Sequence, residues 1–299
     1  MGKQAISKEL RRYLPRGYGQ ELATQFQCSV SKIYHVVTGQ LTDYRILEAL
    51  LDIIQKNTAI EKKLARQNLH KKEKAMIEIY KDWDFPDTQY VRQKTEKKQI
   101  VLHHTVSGDK VDGDTSWWLH TPERVATSYI ISREGHLHKC FDDGYWAYHL
   151  GLSAEHFNRF GISYHRLDPS SIGIELDSWG ALLQHTDGLF YPVTRQNGKT
   201  VPNLKCKPVK NIYEYCSNQK YRGFQYFERY TTAQLDTLKR LLNFLMDKHQ
   251  IPANYKSDIW NVTPRALMGW EGIFSHSSYR QDKSDVHPQV ELVNLLKSL

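Results

Sequence analysis

The chain has 299 residues, of which 40% are hydrophobic and 25% are charged. This composition excludes a mainly disordered chain and one built of membrane spans, and the length favours two domains. The formal net charge of +8 is uneven, because residues 1–98 contain 19 Lys and Arg against 12 Asp and Glu, while the remainder is nearly balanced. We therefore expect an anionic partner for the first part and a different partner for the second.

The first 57 residues are predicted to form a small helical domain. Two apolar faces recur at helical steps on either side of a polar break at residues 27–29, and Gly39 is placed to end the second helix in a left-handed conformation. A third helix is expected over residues 44–55. The apolar positions of the first two helices are Leu22, Ala23 and Phe26, then Val30, Ile33 and Val36.

The spacing of Ala23, the break, Ile33 and Val36 resembles the helix-turn-helix of phage repressors. In that motif a small residue lets the two helices approach, and the second helix enters the major groove of DNA. This chain departs from it by having Gln27 or Cys28 where many members have glycine. The basic surplus favours duplex DNA as the partner, and a helical hairpin used for packing or protein contacts is the alternative. The residues expected to face the groove or its phosphates are Ser29, Ser31, Lys32, Tyr34 and His35, where Ser29 or Ser31 can also cap the second helix.

Residues 58–94 are predicted to form a charged helix and a linker. The helix is expected over 58–81, and its KKEK run at 71–74 is typical of a solvated face. The sequence DWDFPD at 82–87 breaks the helix.

Residues 95–299 are predicted to form an α/β domain with a mixed central sheet flanked by helices. In the sequence this domain follows the small all-α domain. Short β-branched runs at 99–105 and 170–176 are typical of buried strands, and residues 128–141 are typical of a hairpin. Residues 231–250 form the clearest helix, which begins with a capping box of Thr231 and Gln234, and a last helix follows Pro288. One apolar stripe of the long helix consists of Leu235, Leu238, Leu242 and Leu245.

Histidines end the first strand of this domain and recur near the end of the chain. His103 and His104 point to opposite faces of their strand, so only one of them can face a metal ion. A zinc ion that activates water takes three ligands of N, O or S type and keeps one position open. The sequence FSHSSYRQDKSDVHP at 274–288 supplies further candidates. His136 and His138, which alternate on the hairpin, are expected at the surface.

The segments IVLHHT, SYIISREG, WAYHLG, SSIGIEL and SHSSYRQDKSDVHP occur in an order that resembles the zinc-dependent N-acetylmuramoyl-L-alanine amidases. That family includes phage lytic amidases and animal peptidoglycan recognition proteins, and the likeness covers residues 95–299. The resemblance implies a zinc ion held by His103, His276 and Asp285, with His287 as a competitor for the third position. Because members that only bind peptidoglycan often lose the third ligand, the presence of Asp285 favours an enzyme.

The resemblance also implies how the amide bond is hydrolysed. Glu175 would take a proton from the attacking water and pass it to the leaving amine, although a structurally paired, buried carboxylate is the alternative. Lys283 would stabilise the oxyanion. His149 is expected to line the substrate cleft, with Trp146 as packing or as a platform for a sugar ring.

Three functions are compatible with these features. One is a lytic amidase that acts on peptidoglycan, with the basic N-terminal domain as an adaptor for an anionic wall or for nucleic acid. Another is a recycling amidase that acts on soluble muropeptides. The alternative is a DNA-binding regulator whose amidase-like domain senses muropeptides without cleaving them. The first residues lack the apolar stretch of a secretory signal, so we expect a cytoplasmic protein, with holin-type or lysis-dependent release if it reaches the cell wall.

Overall fold

A computed structural model describes residues 5–74, 78–108, 110–216 and 219–299, with the backbone alone for residues 62–74. The chain divides into two compact units, residues 1–75 and residues 76–299. Among the helices described, none is long and apolar enough to cross a membrane.

The first unit is a helical domain with its own core. Ser29 caps α3 (Val30–Val37) by accepting a hydrogen bond from the Lys32 amide, and Gly39 follows this helix at a φ of 74°. The third predicted helix is longer than expected, because it continues without a break through the charged segment to Lys74. The side chains of the KKEK run and all of residues 75–77 lie outside the described part. The helices are α1 (Lys8–Arg11), α2 (Tyr18–Gln25), α3 (Val30–Val37) and α4 (Tyr44–Lys74). Their shared core includes Leu22, Ala23, Ile33, Val36, Ile46 and Leu50.

The second unit contains a six-stranded mixed sheet in the order β1-β4-β3-β5-β2-β11. Strands β3, β5, β2 and β11 run parallel, while β4 runs antiparallel to β3 as the predicted hairpin. β1 pairs with β4. The prediction of a helix as far as residue 81 is therefore wrong at its end, because residues 79–81 form an edge strand of this sheet. The strands are β1 (Ile79–Asp82), β2 (Gln99–His104), β3 (Tyr129–Ile131), β4 (Leu137–Lys139), β5 (Ser171–Leu176) and β11 (Gly272–Ser275).

A second, five-stranded antiparallel sheet has the order β8-β7-β6-β10-β9. It occupies most of the segment between β5 and the long helix α7 (Thr232–His249). Its longest strand, residues 190–196, has one buried residue and is otherwise half-buried or exposed, which is typical of a sheet with one solvated face. Its strands are β6 (Ala181–Gln184), β7 (Phe190–Gln196), β8 (Lys199–Pro202), β9 (Ile212–Glu214) and β10 (Tyr226–Glu228).

Helices cover both faces of the six-stranded sheet. The predicted capping box of Thr231 and Gln234 is confirmed at the start of α7, and the predicted leucine stripe is buried against the sheet and α9. On the other face, Val111 and Trp118 of α5 pack against Ile130 of β3. The mixed α/β class is therefore confirmed. The helices of this unit are α5 (Val111–His120), α6 (Ala154–Asn158), α7 (Thr232–His249), α8 (Pro264–Leu267) and α9 (Val290–Lys297).

Candidate metal centre

The parallel strands bring three separated side chains to one edge of the six-stranded sheet. β2 lies between β5 and β11, and all three run in the same direction, so their carboxyl ends meet. His103 is near the end of β2, and His276 directly follows β11. Asp285 lies nine residues after His276, and its backbone carbonyl accepts a hydrogen bond from the Ser277 amide, which folds the intervening loop back on itself.

The ligand atoms of His103, His276 and Asp285 converge on one point. His103 Nδ1 lies 3.1 Å from His276 Nδ1 and 3.2 Å from Asp285 Oδ2, and His276 Nδ1 lies 2.8 Å from Asp285 Oδ2. Two ligands of a tetrahedral zinc ion with bonds of about 2.0 Å are separated by about 3.3 Å. Three atoms at this spacing fit three corners of such a tetrahedron and leave the fourth corner for water or substrate.

Hydrogen bonds on the far side of each imidazole fix which nitrogen faces the shared point. His276 Nε2 lies 3.0 Å from the Leu150 carbonyl, which can only accept, so Nε2 carries the proton and Nδ1 keeps its lone pair. His103 Nε2 lies 2.9 Å from His149 Nδ1, and His149 Nε2 lies 2.8 Å from Ser171 Oγ. With each Nε2 donating along this chain, His103 Nδ1 is also free to bind a metal.

Burial and the neighbouring charges set the protonation of His103 and Asp285. Burial, followed by the neighbouring charge of His276, lowers the pKa of His103 to about 4. Burial by itself raises the pKa of Asp285, but His276 and His103 hold that pKa well below its ordinary value. Neutral imidazole and ionised carboxylate are the forms that bind a divalent cation.

Glu175 lies on the same face of the sheet as His103, because the two residues are register partners in β5 and β2. Burial, together with the negative charges of Asp285 and Asp114, raises the pKa of Glu175 well above its ordinary value. Its Oε2 is buried and has no hydrogen-bond partner among the described residues. A structurally paired carboxylate would have such a partner, so this environment favours a carboxyl group that exchanges protons.

Lys283 lies in the loop that joins His276 to Asp285. The Ser277 hydroxyl donates to the Lys283 carbonyl over 3.1 Å, which fixes the backbone at this residue. The Lys283 ammonium opposes the rise in the pKa of Glu175, so its positive charge acts on the site.

The two competing histidines lie elsewhere. His104 points to the other face of β2, where its Nδ1 is 3.0 Å from the Tyr230 hydroxyl. His287 is fully buried between Phe227 and Tyr230, with ring centroids 4.5 Å and 4.6 Å away. It is not part of the cluster of groups that could hold a metal among the described residues.

The predictions for His149, Trp146 and the two hairpin histidines have different outcomes in the structure. His149 contacts His103 directly and is half-buried, so it is placed to orient a ligand as well as to line a cleft. Trp146 is only 7% exposed and packs edge-on against Tyr148, which leaves little ring surface for a sugar. The surface expectation holds for the exposed His136 but is wrong for His138. His138 is buried and accepts a hydrogen bond from the Trp83 indole, because β1 pairs alongside β4 and brings Trp83, which follows it, against the His138 ring.

Sequence reasoning did not single out Ser171. The hydroxyl of this residue completes the hydrogen-bond chain from His103 through His149. Ser171 begins β5 and lies 22 residues after His149, so no local spacing marks the contact.

The residues expected to contact DNA lie on or just before α3 of the first unit. Ser31 and His35 are exposed, and Tyr34 is 47% exposed with its ring edge against Tyr18. Ser29 is engaged in capping, and the Lys32 ammonium lies 2.8 Å from Asp43. That ion pair neutralises the only cationic side chain among the five candidates.

Comparison of the sequence with known protein families gives a match within the second unit. A model of the family described as N-acetylmuramoyl-L-alanine amidase matches residues 93–288, well over half of the chain. No curated protein sequence matches the chain.

Several solved structures are similar to this chain at low sequence identity. PlyL is 11% identical with a TM-score of 0.40, and the match covers 73% of this chain and 96% of that chain. The amidase AmiD from E. coli is 17% identical with a TM-score of 0.40, covering 69% of this chain and 59% of that chain. A derivative of AmpD is 15% identical with a TM-score of 0.37, covering 73% and 94%. On the strength of the family model, the chain belongs to the N-acetylmuramoyl-L-alanine amidase family of hydrolases.

Proposed function

We propose that His103, His276 and Asp285 hold one zinc ion and that the second unit uses it to hydrolyse the amide bond between N-acetylmuramic acid and L-alanine. The observation that carries the proposal is the meeting of three ligand atoms within 3.2 Å of one another, beside a buried carboxyl group with an unpartnered oxygen. Bound zinc supplies a Lewis acid that lowers the pKa of water toward about 7, so that a nucleophile is available at neutral pH.

The protein's own groups would move the proton and stabilise charge. Glu175 accepts a proton from the attacking water and returns it to the amine nitrogen as the amide bond breaks. The raised pKa of Glu175 suits this exchange, because the carboxyl group must release the same proton that it has taken. Lys283 stabilises the negative charge that develops on the carbonyl oxygen.

The support around the ligands is part of the proposal. His149 holds His103 in the tautomer that presents Nδ1, and the Leu150 carbonyl does the same for His276. The buried position of Trp146 is better suited to forming the wall of the site than to stacking on a sugar.

The test uses the purified full chain loaded with zinc, on intact sacculi and on soluble muropeptides, with and without a chelator. We expect new L-alanine amino termini, their loss on chelation and their return when zinc is restored. Preference for sacculi indicates a lytic enzyme, and preference for soluble muropeptides indicates a recycling enzyme. Cleavage of neither substrate after zinc loading would overturn the enzymatic proposal, and muropeptide binding without cleavage would support the sensing alternative.

We also propose that the first unit binds duplex DNA through α3. The supporting observation is that the small residue Ala23 of α2 is buried in the core that α2 shares with α3, while Ser31, Tyr34 and His35 remain exposed on α3. The basic surplus of residues 1–98 has the sign that phosphate binding requires.

The test compares the full chain with His35→Glu on α3 and with Gln55→Glu, an exposed position on α4. We expect the affinity of the wild type for duplex DNA to fall as salt rises. His35→Glu should weaken binding, whereas Gln55→Glu should have little effect. DNA binding without salt dependence, or equal binding by both variants, would refute the proposal.

A further inference from the structure

A tight turn between β9 and β10 of the five-stranded sheet contacts the loop that carries Lys283 and Asp285. We call residues 277–287 the metal loop. The turn is formed by Tyr221, Arg222, Gly223 and Phe224, and it joins the region after β9 to β10. Its two central residues, Arg222 and Gly223, lie outside strands β2 and β5, which contain His103 and Glu175.

The Arg222 guanidinium binds the metal loop at two backbone carbonyls. Nη1 donates to the Gln281 carbonyl over 3.0 Å, and Nη2 donates to the Ser277 carbonyl over 3.0 Å. Nη2 also lies 3.4 Å from the Trp260 carbonyl. A planar guanidinium with its donors in a fixed fork can hold two carbonyls at a set separation, which a single ammonium cannot do.

Tyr221 holds the other end of the metal loop. Its hydroxyl lies 3.4 Å from the Val286 carbonyl and 3.2 Å from the Trp260 carbonyl, and the ring is buried. Val286 directly follows Asp285 in the chain. Two neighbouring residues of one turn thus contact the loop near its start, its middle and its end.

The conformation of the turn gives it a fixed shape. The amide of Tyr221 donates to the Phe224 carbonyl over 2.9 Å, and the amide of Phe224 donates to the Tyr221 carbonyl over 3.0 Å. Arg222 and Gly223 have φ angles of 52° and 89°, the left-handed pair found in two-residue hairpin turns. Glycine at the second position makes this geometry accessible at low cost.

Ser277 connects the Arg222 contact to the third ligand. The Ser277 carbonyl accepts from Arg222, while the Ser277 amide donates to the Asp285 carbonyl over 3.0 Å. The Ser277 hydroxyl lies 3.1 Å from the Lys283 carbonyl. Any displacement of Ser277 is therefore transmitted to both Lys283 and Asp285.

We infer that Arg222 is a positioning residue for the metal centre, which fixes the metal loop so that Asp285 Oδ2 meets the two histidine nitrogens. The inference rests on the proposed zinc site. In this role Arg222 touches neither the metal nor the substrate, and its effect reaches the site through the backbone of Ser277 and Gln281.

The experiment measures the zinc dissociation constant by competition with a chromogenic chelator, and the thermal midpoint of the zinc-free protein. The variants are Arg222→Ala and Arg222→Lys, which keeps a positive charge but loses the fork. The control is Arg195→Ala, an exposed arginine on β7 of the neighbouring sheet.

We expect Arg222→Ala to raise the zinc dissociation constant by about 10- to 100-fold, the usual effect of losing a support behind the ligands. Arg222→Lys should give a smaller rise, and Arg195→Ala should remain within about twofold of the wild type. A lower thermal midpoint of either Arg222 variant with an unchanged dissociation constant would contradict the inference, since it shows a purely structural role. A wild-type chain that binds no zinc would overturn the proposed function itself, whereas a zinc-binding wild type with an unaffected Arg222→Ala variant would overturn the positioning role alone.

Discussion

His149 Nδ1 lies 2.9 Å from His103 Nε2, on the side of the His103 ring that faces away from His276 and Asp285. This contact fixes the ring orientation and the tautomer of His103, because His149 in turn donates to Ser171. We expect His149→Ala to weaken zinc binding by about 10- to 100-fold, as the loss of a partner behind a ligand commonly does. Chelator competition measures this effect. His136→Ala, at an exposed histidine on the hairpin, should bind zinc like the wild type, and a His149→Ala variant with wild-type affinity would remove the orienting role.

Glu175 is predicted to be essential for turnover and dispensable for metal binding. Glu175→Gln keeps the size of the side chain but cannot accept a proton, so the turnover number should fall by about 10²- to 10⁴-fold. Zinc content should stay at the wild-type level. Kinetics on a soluble muropeptide with parallel metal analysis checks both points, and Glu271→Gln, an exposed position before β11, is the control. Normal turnover by Glu175→Gln would remove this residue from the mechanism.

Lys283 is predicted to act on the developing oxyanion. We expect Lys283→Ala to lower kcat by about 10²- to 10³-fold, with a smaller change in KM, because the interaction strengthens as negative charge forms. Zinc affinity should not fall. Lys256→Ala, at an exposed lysine, provides the comparison. If KM rises while kcat is unchanged, Lys283 binds substrate and does not stabilise the transition state.

Asp143 is predicted to support the second unit in a pH-dependent manner. Burial raises its pKa, but hydrogen bonds from His249 and Lys248 bring the pKa below the ordinary value. The stabilisation is therefore present above about pH 4, the ordinary aspartate pKa, and is lost as the pH falls through the lower folded-state pKa.

We expect Asp143→Asn to reduce the free energy of unfolding at pH 7 by about 1–2 kcal/mol, with allowance for the partly exposed Lys248. The difference from the wild type should narrow below about pH 4. Urea denaturation at several pH values measures it, and Asp247→Asn, at an exposed position of α7, is the control. If the difference in the free energy of unfolding between the wild type and Asp143→Asn does not change as the pH falls below about 4, ionisation of Asp143 is not the source of that difference.

The regular elements were accessible from sequence because local rules determine them. The capping box at Thr231, the leucine stripe of α7 and the hairpin between β3 and β4 follow from residue spacing, and each is confirmed. The length of α4 was underestimated, because the charged segment after residue 55 was assigned to a separate helix although nothing in it interrupts helical hydrogen bonding.

The parts of the site that could not be predicted from the sequence are contacts between residues far apart in the chain. His103 and Asp285 were paired by resemblance, and the structure adds the strand order that brings them together. The contacts of His149 with His103 and of Arg222 with Ser277 span 46 and 55 residues. Neither has a local signature, because each depends on which segments become neighbours after folding.

The most direct test of the proposed zinc site is the zinc content of His276→Ala beside that of the wild type, with muropeptide hydrolysis measured on the same samples. We expect about one zinc ion per wild-type chain, and loss of both the metal and the hydrolysis in the variant. A His276→Ala protein that retains one zinc ion and cleaves at the wild-type rate would contradict the proposed zinc site.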